Sequence, residues 1–134
     1  MANISIDQLA AEITQAVQEY TEDVSEGVGI ACSNVADQIL MDTAMNAPHG
    51  RTGKYARGFV KTDKCLASHG YRKYVIWNKK HYRLVHLLEF GHKKANGKGS
   101  VKGTPHMIPA YDKYAPQLEG RIKRVIKNGG GDGS

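Results

Sequence analysis

Lysine and arginine are missing from the first fifty residues, which hold eight acids instead: Asp7, Glu12, Glu19, Glu22, Asp23, Glu26, Asp37 and Asp42. All 19 bases fall in residues 51–134 beside five acids, so the two parts carry −8 and +14 within a net charge of +6. Such a split suits a basic face for nucleic acid, two complementary faces that attract neighbouring copies, or an acidic helix lying on its own basic body. Cysteine is scarce as well. Cys32 and Cys65 show no motif spacing, which favours reduced structural thiols over a disulfide frame. No apolar run approaches the roughly 18 residues of a membrane span, and the start, MANISIDQLAAEI, lacks the basic opening and apolar block of a signal peptide. The expectation is a cytoplasmic chain with no membrane partner.

Catalytic signatures are equally thin. There is no G-x-S-x-G elbow, no cysteine with a histidine partner in a shared motif, and no pair of carboxylates near a cleft signal. The tract GHKKANGKGS departs from the phosphate loop G-x-x-x-x-G-K-[ST]. Five residues separate Gly91 from Gly97, Lys98 is followed by glycine, and no strand leads in with a helix following. His86, Glu89 and His92 form H-x-x-E-x-x-H, but zinc helices set two histidines four apart, and a spacing of six turns the outer pair away from each other. A third ligand from His81 or His106 would need loop folding that the sequence does not show. The expectation is no enzymatic activity, no cofactor and no metal.

What is present is a foldable chain. With 40% hydrophobic and 24% charged residues, 134 residues make a single domain, 1–134, that buries roughly two thirds of its unfolded surface. Ser5 and Gln8 form a capping-box signal. After them Leu9, Ile13, Val17, Tyr20, Val24, Val28, Ala31, Val35 and Ile39 recur at steps of three and four. This stripe predicts one long helix, residues 5–46, roughly 60 Å if unbroken, with Gly27 and Gly29 as places where it would kink or split. A helix of that length exceeds what a domain of this size covers, so part of the stripe is available to another subunit, with packing on the chain's own sheet as the simpler reading.

Ala47-Pro48-His49-Gly50 ends the helix. The segments GFVKTD (58–63) and YVIWN (74–78) read as strands of an antiparallel sheet, with Lys79-Lys80 as a turn. HYRLVHLLEFG reads as a short helix ended by Gly91. Residues 92–103 read as a mobile basic loop, Thr104 to Ile108 as a last strand, and Pro109 to about Lys127 as a final helix along Tyr111, Ala115, Leu118, Ile122, Val125 and Ile126. Residues 128–134 read as a flexible tail. The fold class is therefore α+β: a long N-terminal helix packed on a small antiparallel β-sheet, with a short helix and a C-terminal helix.

Lys93, Lys94, Lys98 and Lys102 on a glycine-rich loop are suited to phosphates, with salt-dependent and sequence-blind affinity, or to a protein partner on which the loop orders. Arg121, Lys123, Arg124 and Lys127 favour the macrodipole of the last helix without any partner.

Three segments together resemble a known family. APHGRTGKYARGF (47–59) resembles the Ala-Pro-x-x-Thr-Gly-x-Leu-Arg-x-Ser opening of the tail-component family of tailed bacteriophages, which includes tail-completion, head-to-tail joining and minor tail proteins. HYRLVHLLEFGH (81–92) is similar to its Val-Glu-Phe-Gly-Thr signature, and TPHMIPAYDKY (104–114) to its Arg-Pro-Phe-Leu-Arg-Pro-Ala lead into the last helix. The likeness covers residues 47–127. Departures are Tyr55 for leucine, His92 for threonine, His106-Met107-Ile108 for Phe-Leu-Arg, and a longer basic loop.

The resemblance implies a structural virion protein of a long-tailed phage. It would form an oligomeric ring in the neck or upper tail that completes the tail or joins it to the head, assembled in the bacterial host cytoplasm. Its partners would be further copies, other neck, connector and tail proteins, and phage DNA. Candidate interface residues are Arg51, Lys54 and Arg57 on one side, Glu89, Phe90, His92, Lys93, Lys94, Lys98 and Lys102 on the other, and Glu19, Glu22, Asp23 and Glu26 on the acidic helix. The basic groups would lock the connector to tail or head proteins, and the acidic helix and basic body would give neighbouring copies unlike faces. Glu89 is expected to fix the loop by pairing with a base, or to be a plain surface acid. The alternative function is a basic DNA-binding accessory protein using the lysine and glycine loop.

Overall fold

The computed structural model describes residues 6–64 and 72–131, and for residues 6–18 the backbone alone. The architecture is α+β. Helix α1 (Ile6–Asn46) runs unbroken through 41 residues. Of its predicted stripe, Val24, Val28 and Ile39 are half-buried and Ala31 and Val35 buried; the side chains of Leu9, Ile13 and Val17 lie outside the described residues.

The helix is not split at Gly27 and Gly29, and both glycines are contact points. A Cβ on Gly27 would lie 2.5 Å from the Gly130 carbonyl oxygen and 2.7 Å from Val125 Cγ1, and one on Gly29 would lie 3.1 Å from the Arg72 guanidinium carbon. A helical glycine costs about 1 kcal/mol against alanine, and close approach of a second element offsets that loss.

That second element is α4 (Met107–Lys127), antiparallel to α1. Met107 packs beside Leu40 and Ala47, and at the far end Tyr20 donates its hydroxyl to the Ile126 carbonyl at 2.7 Å. Small residues line the buried part of these helices: Ala31, Val35 and Ala36 on α1, Ala110 and Val125 on α4. Residues 128–131, expected as part of a flexible tail, form a turn instead. The amides of Asn128 and Gly130 donate to Arg124 and Val125, Gly129 takes φ 68°, and the turn rests on α1 beside Asp23. Residues 132–134 lie outside the described residues.

After α1, Gly53 at φ 67° starts a single helical turn, α2 (Lys54–Arg57). Strands β1 (Phe59–Asp63) and β2 (Tyr74–Asn78) pair antiparallel from Phe59 opposite Asn78 to Asp63 opposite Tyr74. Cys65 lies outside the described residues. Ala47, Ala56 and Phe59 form a buried cluster where α1, α2 and β1 meet.

A 3-10 turn (Tyr82–Leu84) leads into α3 (Val85–Phe90). Two expectations then fail. The basic loop is a second antiparallel sheet, β3 (Gly91–Lys93) with β4 (Ser100–Lys102). Its tip closes by Lys94 N–H to Gly99 and Gly97 N–H to Lys94, with Gly97 and Gly99 at positive φ, so the glycines read as linker are turn residues. The strand expected at Thr104 to Ile108 is absent as well. Residues 104–106 are irregular and Met107 already begins α4.

Gly27→Ala is expected to lower stability by about 1–3 kcal/mol through overpacking. Gly120→Ala, with nothing within 4 Å of its Cβ position, is expected to raise it by about 0.5–1 kcal/mol. Urea unfolding of both variants checks the contrast.

Candidate functional site

Helix α3 is too short to hold much by itself, yet it carries the acid that organises the body. His86 and Phe90 sit one turn apart on its exposed side, and Glu89 turns inward with 3% of its surface exposed. Its Oε1 accepts from the backbone N–H of His106 at 3.1 Å and Met107 at 2.9 Å. Its Oε2 accepts from His106 at 3.0 Å and Ile108 at 3.1 Å. Helix starts leave N–H groups without intrahelical partners, and His106 makes no side-chain cap. A carboxylate from another helix therefore caps α4, where the helix dipole also favours negative charge.

Of the two sequence expectations for Glu89, the plain surface acid is corrected, since it is buried. The base beside it is His106, whose Nδ1 lies 3.2 Å from Oε1, and backbone amides occupy both oxygens. Buried under α4, it is withdrawn from any interface.

His106 is 1% exposed. Its Nδ1 lies 2.7 Å from the Thr104 carbonyl and 3.2 Å from Glu89 Oε1, both acceptors, so Nδ1 carries a proton. Nε2 is then left to accept from the Tyr55 hydroxyl at 2.7 Å. Burial, and then the nearby Glu89 carboxylate, push the Tyr55 phenol up to about 12, which keeps it a donor. The Tyr55 ring stands edge-on to both Phe59 and His106. Fully buried Asn78 donates Nδ2–H to the Tyr55 carbonyl at 2.8 Å and accepts from the His81 amide at 2.9 Å. Its amide also fills the space beside Gly58, where a Cβ would collide with it.

The arrangement is an acid–histidine–hydroxyl series in composition, with the acid and the histidine buried and Tyr55 half-buried. Both Glu89 oxygens and both His106 nitrogens are engaged by partners within the chain, and the bonds from the first amides of α4 to Glu89 position that helix.

The other candidates lie outside this cluster. Arg51 is on an exposed turn, and Lys54 and Arg57 are exposed on α2. His92 and Lys93 lie on β3, Lys94 and Lys98 in the hairpin tip, and Lys102 on β4, all exposed, while Phe90 stands exposed at the hairpin's root. Glu19, Glu22, Asp23 and Glu26 line an exposed part of α1. Within the chain, Asp37 of α1 pairs with Lys61 of β1 at 2.6 Å, so the acidic helix lies partly on its own basic body. Among the described residues no group of three or more His, Cys, Asp or Glu is placed to hold a metal ion, and no helix is long and apolar enough to cross a membrane. Between α1, β2 and α4 an open apolar groove of about 750 Å³ is lined by Val35, Ile39, Ile76, Met107 and Leu118.

Sequence reasoning missed Tyr55, Asn78 and His106 as one hydrogen-bonded set, in which Asn78 and His106 are buried and Tyr55 is half-buried. The signal that could have found it is a histidine between proline and an apolar pair, just ahead of a helix with no capping residue of its own. Compared with family models, curated proteins and solved structures, the chain matches none.

Glu89→Ala strands three helix-start amides and is expected to cost about 3 kcal/mol, with Glu89→Gln milder because one oxygen still accepts. A urea unfolding midpoint no lower than that of exposed Glu119→Ala would contradict this role. Because the Tyr55 phenol is raised in the folded state, its contribution is complete below about pH 10 and lost as pH rises toward about 12. The stability advantage of the native chain over Tyr55→Phe should therefore shrink across that window when unfolding is followed from pH 9 upward.

Proposed function

We propose that this chain is a non-enzymatic structural subunit of a long-tailed bacteriophage, forming a ring in the neck or upper tail that completes the tail or joins it to the head. The observation that carries the reading is where the three family-like segments meet. Tyr55 comes from the first, Glu89 from the second and His106 from the third, and they close on one another within the buried cluster. Segments that resemble a family in order and spacing thus also act as one physical unit.

Two of the departures from the family pattern support the same view. Tyr55 stands for leucine and His106 for phenylalanine, and these two residues hydrogen-bond to each other at 2.7 Å. The hydroxyl and the imidazole satisfy each other, so two polar departures leave no orphaned group at this junction. The partners in this reading are other copies and neighbouring neck, connector and tail proteins, with phage DNA as a candidate contact. Its place is the virion, after assembly in the host cytoplasm.

A second reading, a DNA-binding accessory protein, is favoured by the hairpin. From Lys79 to Thr104 the chain has seven Lys and Arg and a single acid, Glu89, and that acid is buried. The exposed charge of this segment is all positive, which suits phosphates.

Purified chain added to tails from the phage whose genome encodes it should bind at one tail end and appear there by electron microscopy as a ring. Binding to neither tails nor connectors would overturn the first reading. Duplex affinity that falls steeply with salt and is lost when Lys93, Lys94, Lys98 and Lys102 become alanine would establish the second.

A further inference from the structure

The pair Asn-Gly occurs twice in the chain, at Asn96-Gly97 and Asn128-Gly129, and both asparagines are exposed. Behind an asparagine, the peptide nitrogen of a glycine can reach the side-chain carbonyl carbon, because no Cβ obstructs the approach. The two pairs stand in opposite surroundings.

At the hairpin tip the Asn96 carboxamide is folded along the peptide that would attack it. Its Oδ1 accepts from the Lys98 N–H, two residues on, at 2.9 Å. That oxygen is the atom on which negative charge develops during attack, so a donor already stands where it is needed. Lys93, Lys94 and Lys98 surround the pair in sequence, and residues 90–111 hold no acid. Positive charge favours both the deprotonated peptide nitrogen and the oxyanion. Nothing lies within 4 Å of a Cβ position on Gly97. Its N–H donates to the Lys94 carbonyl at 3.0 Å, a bond that an exposed, unpacked turn opens at little cost.

Asn128 closes α4, at the negative end of that helix's dipole. Gly129 lies beside the Tyr20 ring, a Cβ on Gly130 would come within 2.9 Å of Asp23 Cβ, and the Gly130 N–H donates to the Val125 carbonyl at 2.8 Å. Developing negative charge is opposed there, and the turn cannot open without leaving α1.

We propose that Asn96 is a site of spontaneous deamidation, driven by the Gly97 peptide nitrogen and favoured by the turn that holds it. The Gly97 amide gives its proton to solvent and its nitrogen bonds to Asn96 Cγ. The Cγ–Nδ2 bond breaks, and ammonia leaves with a proton taken from water. Water then opens the cyclic imide at either carbonyl, giving aspartate or isoaspartate, so that the sum is an amide and water converted to an acid and ammonia. Either product sets a carboxylate beside Lys98, and isoaspartate also lengthens the main chain at the turn. The arm thus loses positive charge with age, which weakens its hold on phosphates or any other anionic partner. None of this depends on the phage reading.

The purified full chain, held in mildly alkaline buffer made with heavy-oxygen water, tests the site when peptide-mapping mass spectrometry follows both asparagines in the folded chain and in urea. Folded, Asn96 should take up one heavy oxygen about tenfold faster than Asn128, and unfolding should bring the two rates together. Gly97→Ala should slow conversion at Asn96 about tenfold by obstructing the attack. An Asn128 that keeps pace in the folded chain overturns the proposal. So does an Asn96 that stays intact while the unfolded chain converts, a preference for Asn96 that persists undiminished in urea, or a Gly97→Ala chain that converts at the native rate.

Discussion

A buried carboxylate that gathers the first amides of a distant helix is the constraint on which the rest of this body depends. Glu89 sits on α3, its amides belong to α4, and the hairpin lies between them in sequence. Three elements are thereby fixed by one side chain. Burying a carboxylate is costly unless its charge is answered, and here three N–H groups and a helix dipole answer it. His106 extends the hold by reaching Tyr55, which stands on α2 beside Phe59 and so connects α4 to the alanine-rich junction of α1, α2 and β1.

That polar anchoring suits a core with little bulk. The buried apolar residues are mostly alanine and valine, with Phe59 the single aromatic among them in the described residues. Small residues let α1 and α4 approach until backbone meets side chain at Gly27, but they supply less apolar burial than leucines would. Hydrogen bonds with defined directions then set where α4 begins. Larger apolar groups, Met41, Met45, Tyr82 and Phe90 among them, remain on the surface.

The regular elements were legible because their signals are local and repeated. The stripe through Val24, Val28, Ala31 and Val35 marked α1, the stripe ending at Ile126 marked α4 to Lys127, and β-branched and aromatic residues marked β2 at Tyr74 to Asn78. The hairpin was not legible. Its strands are three residues each, and Gly91-His92-Lys93 with Ser100-Val101-Lys102 has no apolar alternation to read. Glu89 escaped for a different reason: its partners are backbone amides, which leave no mark on the sequence, and an acid in LLEFG looks like any solvated acid. Histidine in a sequence suggests a metal ligand, whereas the partners of the inward His106 are a tyrosine, a carbonyl and the same acid.

The hairpin's two roots are pinched together inside the body. Thr104 N–H donates to the Leu88 carbonyl at 2.8 Å, and Gly103 lies so close to Gly91 and Glu89 that a side chain there would strike backbone. Everything between is exposed. Lengthening a closed loop costs little, about 0.6 kcal/mol per doubling, so the fingertip is an exchangeable part. Insertions around residues 95–99 would alter what the arm touches while the socket that carries it stays as it is.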